Sequence, residues 1–132
     1  FVPIGVSVVA GPAADLGPLA PVWKGLVDHH RHVAGGRLPV RSSDEAWVMR
    51  RREYGKWLSD GSGLVLTGRT DTASPQGYAF LRTVPSGPTF DFGPRRGEVE
   101  SLVVAPAARG MGIGTALLKA AREELRRLGC AY

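Results

Sequence analysis

The stretch from Glu98 to Leu128 constrains this chain most, because it joins an alternating segment, a glycine-rich turn and a helical stripe end to end. In Glu98-Val99-Glu100-Ser101-Leu102-Val103-Val104 the alternation predicts a strand, with Glu98, Glu100, Leu102 and Val104 on one face and Val99, Ser101 and Val103 on the other. Pro106 ends it. Gly110, Gly112 and Gly114 then stand at alternate positions, which permits tight turns and leaves main-chain N–H groups unshielded by side chains. Beyond them Ile113, Leu117, Leu118, Ala121, Leu125 and Leu128 recur at helical spacing. Lys119, Arg122, Glu123 and Arg126 take the wet side, Glu123 lies one turn before Arg127 as its ion-pair partner, and Gly129 is placed to cap the end. The first turn of such a helix presents N–H groups with no internal acceptor and the positive end of the dipole, so an anion belongs there.

Spacing excludes two common anions. A P-loop needs a lysine after its last glycine, and none follows here. A dinucleotide fingerprint needs Gly-x-Gly-x-x-Gly directly after the strand, whereas five residues separate Val104 from Gly110. Arg109-Gly110-Met111-Gly112-Ile113-Gly114 instead resembles the Arg/Gln-x-x-Gly-x-Gly/Ala signature of the GNAT superfamily of acyl-CoA-dependent N-acetyltransferases, in the matching context of a strand before it and a helix after it. The resemblance implies acetyl-CoA as co-substrate, with its pyrophosphate on the loop amides of Arg109, Gly110, Met111, Gly112, Ile113, Gly114 and Thr115. It also implies that the pantetheine arm pairs with the strand at Leu102, Val103 and Val104. The bland alternative is a glycine-rich turn without a ligand, which leaves unexplained a cost of up to ~1 kcal/mol for each helical glycine relative to alanine.

At 132 residues the chain reads as one domain, 1–132, able to bury roughly two thirds of its unfolded surface. No apolar run is long enough to span a bilayer, and Phe1-Val2-Pro3-Ile4-Gly5 lacks the basic flank of a signal peptide. The single cysteine, Cys130, excludes an internal disulfide and suits a reducing, cytoplasmic setting. A net charge of +5 favours an anionic partner such as CoA. Nucleic acid is the rival, but the basic tracts Arg50-Arg51-Arg52, Arg95-Arg96 and Arg126-Arg127 are dispersed and carry no nucleic-acid motif.

Val6–Ala10 reads as a short strand closed by Gly11-Pro12. Asp15 is placed to cap a helix whose apolar positions are Leu16, Leu19, Trp23, Leu26, Val27 and His30, with Pro18 and Pro21 distorting its first turn. His29, His30 and His32 lack a further ligand of defined spacing, so no metal is expected, although His30 or His32 could meet a substrate. After a glycine-rich loop, Ser42 and Glu45 form a capping box for a second helix with Trp47, Tyr54, Trp57 and Leu58 inward and Arg50, Arg51 and Arg52 on a solvated face. Gly63–Gly68 and Gly77–Val84 read as paired antiparallel strands around a polar loop holding Asp71, and Thr89–Phe92 as a short extended piece able to extend the sheet.

The resulting fold class is α/β of the α+β type, in the order β-α-α-β-β-β-α: a mixed, mostly antiparallel sheet flanked by helices. This order resembles the first half to two thirds of a GNAT domain, and Leu128–Tyr132 reads as the entry to the family's fifth strand. The expectation is a domain incomplete at its C-terminus, or one completed by another subunit, with a homodimer kept open. For the chemistry, an alkylamine with a pKa of about 10.4 must be deprotonated before it can attack a thioester. The resemblance offers Glu98 or Glu100 as the base, and the bland alternative pairs each with Arg95, Arg96 or an arginine of the second helix. A strand amide at Leu102 or Val103 would meet the oxyanion. The acceptor is a small-molecule or peptide amine, and a catalytically weak acyl-CoA-binding module is the alternative.

Overall fold

A computed structural model describes residues 5–11, 15–70 and 74–132. The expectations placed on Phe1–Ile4, Pro12 and Asp71 fall outside them. Strand β1 (Ser7–Ala10) is followed by helices α1 (Ala20–Ala34) and α2 (Ser43–Ser59). Strands β2 (Gly63–Arg69), β3 (Gly77–Val84) and β4 (Arg96–Val104) come next, then helix α3 (Ile113–Arg127). The sheet runs β1-β2-β3-β4 with every pairing antiparallel, so the expected element order holds. Thr89–Phe92 adds no strand: the segment between β3 and β4 is irregular, because Pro85, Pro88 and Pro94 lack ladder donors and its glycines weaken extended pairing.

The sheet is covered on both faces. Helices α1 and α2 lie over one, where Leu19, Val22, Trp47, Tyr54, Val65, Tyr78, Phe80 and Val103 form a buried cluster. Helix α3 lies over the other, against Leu66, Ala79 and Leu81. Burial from both sides makes β3 continuously buried from Gly77 to Leu81. Its neighbours Gly68 and Gly77 face each other across the β2–β3 ladder and form the floor on which α3 begins. A Cβ on Gly68 would stand 2.8 Å from Ile113 Cγ2, so these glycines bring the first turn of α3 down onto the sheet.

Local signals explain the helix ends. Ser42 caps α2, its Oγ accepting from the Glu45 N–H at 3.2 Å. Asp15 does not cap α1: its carboxylate accepts from the Gly17 N–H two residues on (2.9 Å), at the start of a 3-10 turn, Gly17–Leu19, whose N-cap is Leu16, because Pro18 and Pro21 delay the regular helix. Gly129, with φ 90°, closes α3: its N–H bonds Arg126 C=O and that of Cys130 bonds Leu125 C=O, a Schellman arrangement. Cys130 is buried.

Three helix-face expectations are corrected. Leu118 is 44% exposed and Ala116 takes a buried place in its stead, because Ile113, Leu117 and Ala121 already fill the narrow contact with the sheet. Arg127 pairs with Glu124, not Glu123, one residue nearer along the turn. His30 lies exposed near the end of α1, past the part of the helix that packs on the sheet.

Candidate functional site

The β4–α3 connection shows how a short sequence leaves a row of main-chain N–H groups without helical acceptors. Pro106 opens a 3-10 turn at Pro106–Ala108, after which Gly110 and Gly112 both adopt positive φ (83° and 85°), a region that side chains disfavour. Gly112 is the N-cap of α3. The first helical bond runs from the Ala116 N–H to Gly112 C=O at 3.0 Å, so the amides of Ile113, Gly114 and Thr115 have no helical acceptor. They border a cleft of about 420 Å³ lined by Val104, Ala108, Arg109, Gly110, Gly112, Ile113, Gly114 and Thr115. Gly114 has ordinary helical φ, and a Cβ there would meet only Val104 Cγ2 at 3.6 Å. Packing does not demand glycine at 114; the cleft gains room from it. Arg109 adds a cation, and exposed Met111 flanks the turn. An open row of amides, an arginine and a missing side chain fit the diphosphate of CoA.

Strand β4 is the sheet edge, and its expected facing is corrected. Register shifts between Phe80 and Leu81, which pair with Ser101 and Val99, so Glu100 is the extra residue of a bulge. Glu98, Glu100, Ser101 and Val103 therefore lie on the α1/α2 face, and Val99, Leu102 and Val104 on the α3 face. Glu98 and Glu100 still share a side, but not with Leu102 and Val104. The Ala105 N–H bonds back to Gln76 C=O at 2.8 Å. By strand alternation the amides of Leu102 and Val104 then point to the open edge and that of Val103 into the sheet. At the other end of this edge the Gly97 N–H bonds Tyr132 C=O at 2.7 Å, although no fifth strand forms among the described residues.

Both carboxylates have arginine partners. Glu98 Oε1 meets Arg96 Nη1 at 2.8 Å, each about a third exposed. Glu100 Oε1 accepts from Arg50 Nη2 at 3.1 Å, and the same nitrogen donates to Ser101 Oγ at 2.8 Å. This corrects the solvated reading of Arg50, whose side chain is only 15% exposed. Its guanidinium lies 4.9 Å from the Tyr54 ring centre, 5.1 Å from that of Trp23 and 5.8 Å from that of Trp57. Burial opposes its charge, but Tyr54 and Glu100 outweigh that, and its pKa lies above the usual guanidinium value. Tyr54 Oη donates to Ser101 Oγ (2.6 Å) and lies 3.0 Å from Tyr78 Oη. Burial, foremost, pushes the Tyr78 phenol far up, so it stays protonated.

The sequence offered an arginine of the second helix, or Arg96, as partner of either glutamate, and Arg50–Glu100 and Arg96–Glu98 are those pairs; Tyr54, Tyr78 and Ser101 were not foreseen beside them. A half-signal existed: Arg50, Tyr54 and Trp57 recur at helical spacing, which places an arginine on an aromatic stripe. His29 and His30 line a separate cleft of about 600 Å³ with Val33, Arg37 and Leu38, and His32 does not. Among the described residues no three His, Cys, Asp or Glu side chains gather to hold a metal, and no helix is long and apolar enough to cross a membrane.

Comparison with known proteins agrees with this fold. The fold matches a GCN5-related N-acetyltransferase from Ralstonia eutropha (TM-score 0.70, 22% identity, 97% of this chain and 80% of that one). It also matches a ribosomal-protein-alanine N-acetyltransferase from Brucella melitensis (0.61, 21%, 96% and 75%). A third match is a predicted acetyltransferase from Clostridium acetobutylicum, solved with acetyl-CoA (0.66, 16%, 95% and 76%). At these identities the likeness is one of fold. The search of curated proteins gives no match. The family model described as "Acetyltransferase (GNAT) family" matches residues 28–132, from the second half of α1 through Tyr132, and the chain belongs to that family.

Proposed function

We propose that the chain is an acetyl-CoA-dependent N-acetyltransferase that moves the acetyl group to a primary amine by direct attack in a ternary complex. The observation that carries this reading is the main-chain cradle, in which the Ile113, Gly114 and Thr115 amides border a cleft that Gly114 leaves open. Acetyl-CoA supplies the activated acyl group. Residues 109–115 hold its diphosphate, and the edge amides of Leu102 and Val104 receive its arm as an added strand would be received. The Leu102 amide, fixed in place before reaction, is the donor for the oxyanion.

Glu98 takes the amine proton, directly or through water, in preference to Glu100. Its partner Arg96 is exposed and screened, so the pair can open for a ligand at small cost. Glu100 is instead tied to a guanidinium held among three rings. A second reading, an acyl-CoA-binding module with weak or no catalysis, draws on the fact that both carboxylates already have partners. Thiol release from acetyl-CoA across a panel of amines separates the two. The enzyme gives amine-dependent release that Glu98→Gln removes while acetyl-CoA affinity is kept; CoA binding without such release supports the module.

A further inference from the structure

The β3–β4 connection supplies what Glu98 needs, a place for the amine. Although irregular, it is held in one shape by its own side chains. Ser86 Oγ donates to Gly93 C=O (2.6 Å) and accepts from the Phe92 N–H (3.0 Å), and Asp91 Oδ1 accepts from the Gly93 N–H (2.9 Å). The loop presents Phe90, 65% exposed, stacked on Phe92 with ring centres 5.9 Å apart. These rings, with Pro88 and Arg96, line a cleft of about 290 Å³. Arg96 in that wall is the partner of Glu98, which lies just beyond the cleft lining, so the aromatic surface ends on the cation of an ion pair.

The pair joins residues two apart on one strand, each about a third exposed, and is easily exchanged. A bare amine entering there would take Glu98 and leave Arg96 without its counter-charge. A bare carboxylate would do the reverse. A ligand carrying both groups on one carbon offers each member of the pair an opposite charge at once, in two charge-assisted hydrogen bonds. We propose that this cleft is the acceptor subsite and that it takes a free α-amino acid with an aromatic side chain. The carboxylate sits on Arg96, the amine at Glu98 and the ring against Phe90 and Phe92. The proposal rests on the reading of Glu98 as base and narrows its substrate class.

Calorimetric titration of the chain, with CoA present, by L-phenylalanine, phenethylamine, phenylpropionate and L-alanine tests it. L-phenylalanine binds at least about 10-fold more tightly than any analogue lacking one of its three groups. Phe90→Ala, which truncates a side chain already mostly in water, weakens L-phenylalanine by about 10-fold, and Arg96→Gln removes the preference over phenethylamine. Failure of L-phenylalanine to bind, equal affinity for phenethylamine, or indifference to Phe90→Ala overturns the proposal. Thiol release measured in parallel keeps the two readings apart. L-phenylalanine bound while no amine of the panel drives release upholds the amino-acid cleft and overturns the acetyltransferase reading, whereas release driven by other amines with no L-phenylalanine binding does the opposite.

Discussion

The two faces of the sheet solve different problems with different materials. On the α3 side the cleft is made of main chain: consecutive amides, two glycines at positive φ and a third that leaves space. On the α1/α2 side the chemistry is made of side chains from α1, α2, β3 and β4, with Arg50 clamped among aromatic rings and tied to Glu100 and Ser101. A backbone site depends on a few consecutive residues and tolerates change elsewhere. A side-chain site depends on packing between distant elements, and its failure is felt as lost stability.

That contrast is broken or sharpened most strongly at Gly112. Gly112→Asp puts a carboxylate where the diphosphate charge would lie, and CoA affinity is expected to fall by at least about 100-fold, or about 2.7 kcal/mol, in calorimetry. Unchanged affinity would mean that the cradle is not the cofactor site. On the opposite face, Arg50→Met leaves Glu100 without its donor, while Ser101 keeps that of Tyr54, and denaturant unfolding should show a loss of about 2 kcal/mol, below the range for a fully buried pair because Glu100 is 27% exposed. CoA affinity should hold; a loss there would show that the faces are coupled.

Gly114→Ala is the subtler probe. It should raise stability by up to about 1 kcal/mol, since alanine favours helix, while weakening CoA binding. A gain in stability with intact affinity would make Gly114 incidental. The smallest effect is expected at Lys24–Asp44, a 2.8 Å ion pair between α1 and α2 that holds the Asp44 carboxyl below its ordinary value. A depressed carboxylate stabilises above its unfolded pKa, and that contribution is lost as pH falls through the folded value. Thermal melts of Asp44→Asn should therefore lie slightly below the parent at neutral pH and low salt, and coincide with it in acid or high salt.

The glycine loop was legible because its parts are adjacent: Val104, Pro106, Gly110, Gly112 and Ile113 announce strand end, turn and helix start without reference to the rest of the chain. The Ser42–Glu45 capping box and the Gly129 cap were legible for the same reason. Arg50 was misread because a triplet of arginines on a helix is usually solvated, and only the arrival of Trp23 and β4 against α2 makes one of the three a buried partner. The facing of β4 was half right, since alternation holds on either side of Glu100 but fails across it.

The sequence by itself determined the order of the elements, the glycine-rich turn and the family, all of which rest on short-range backbone preferences and spacing. Only the tertiary structure decided which carboxylate meets which arginine, which β4 amides face the open edge, and that Phe90, Phe92 and Arg96 share a cleft. The facing of β4 and the pairing of Glu100 depend on a one-residue bulge and on contacts 50 and 51 positions apart, and no local pattern carries information about either.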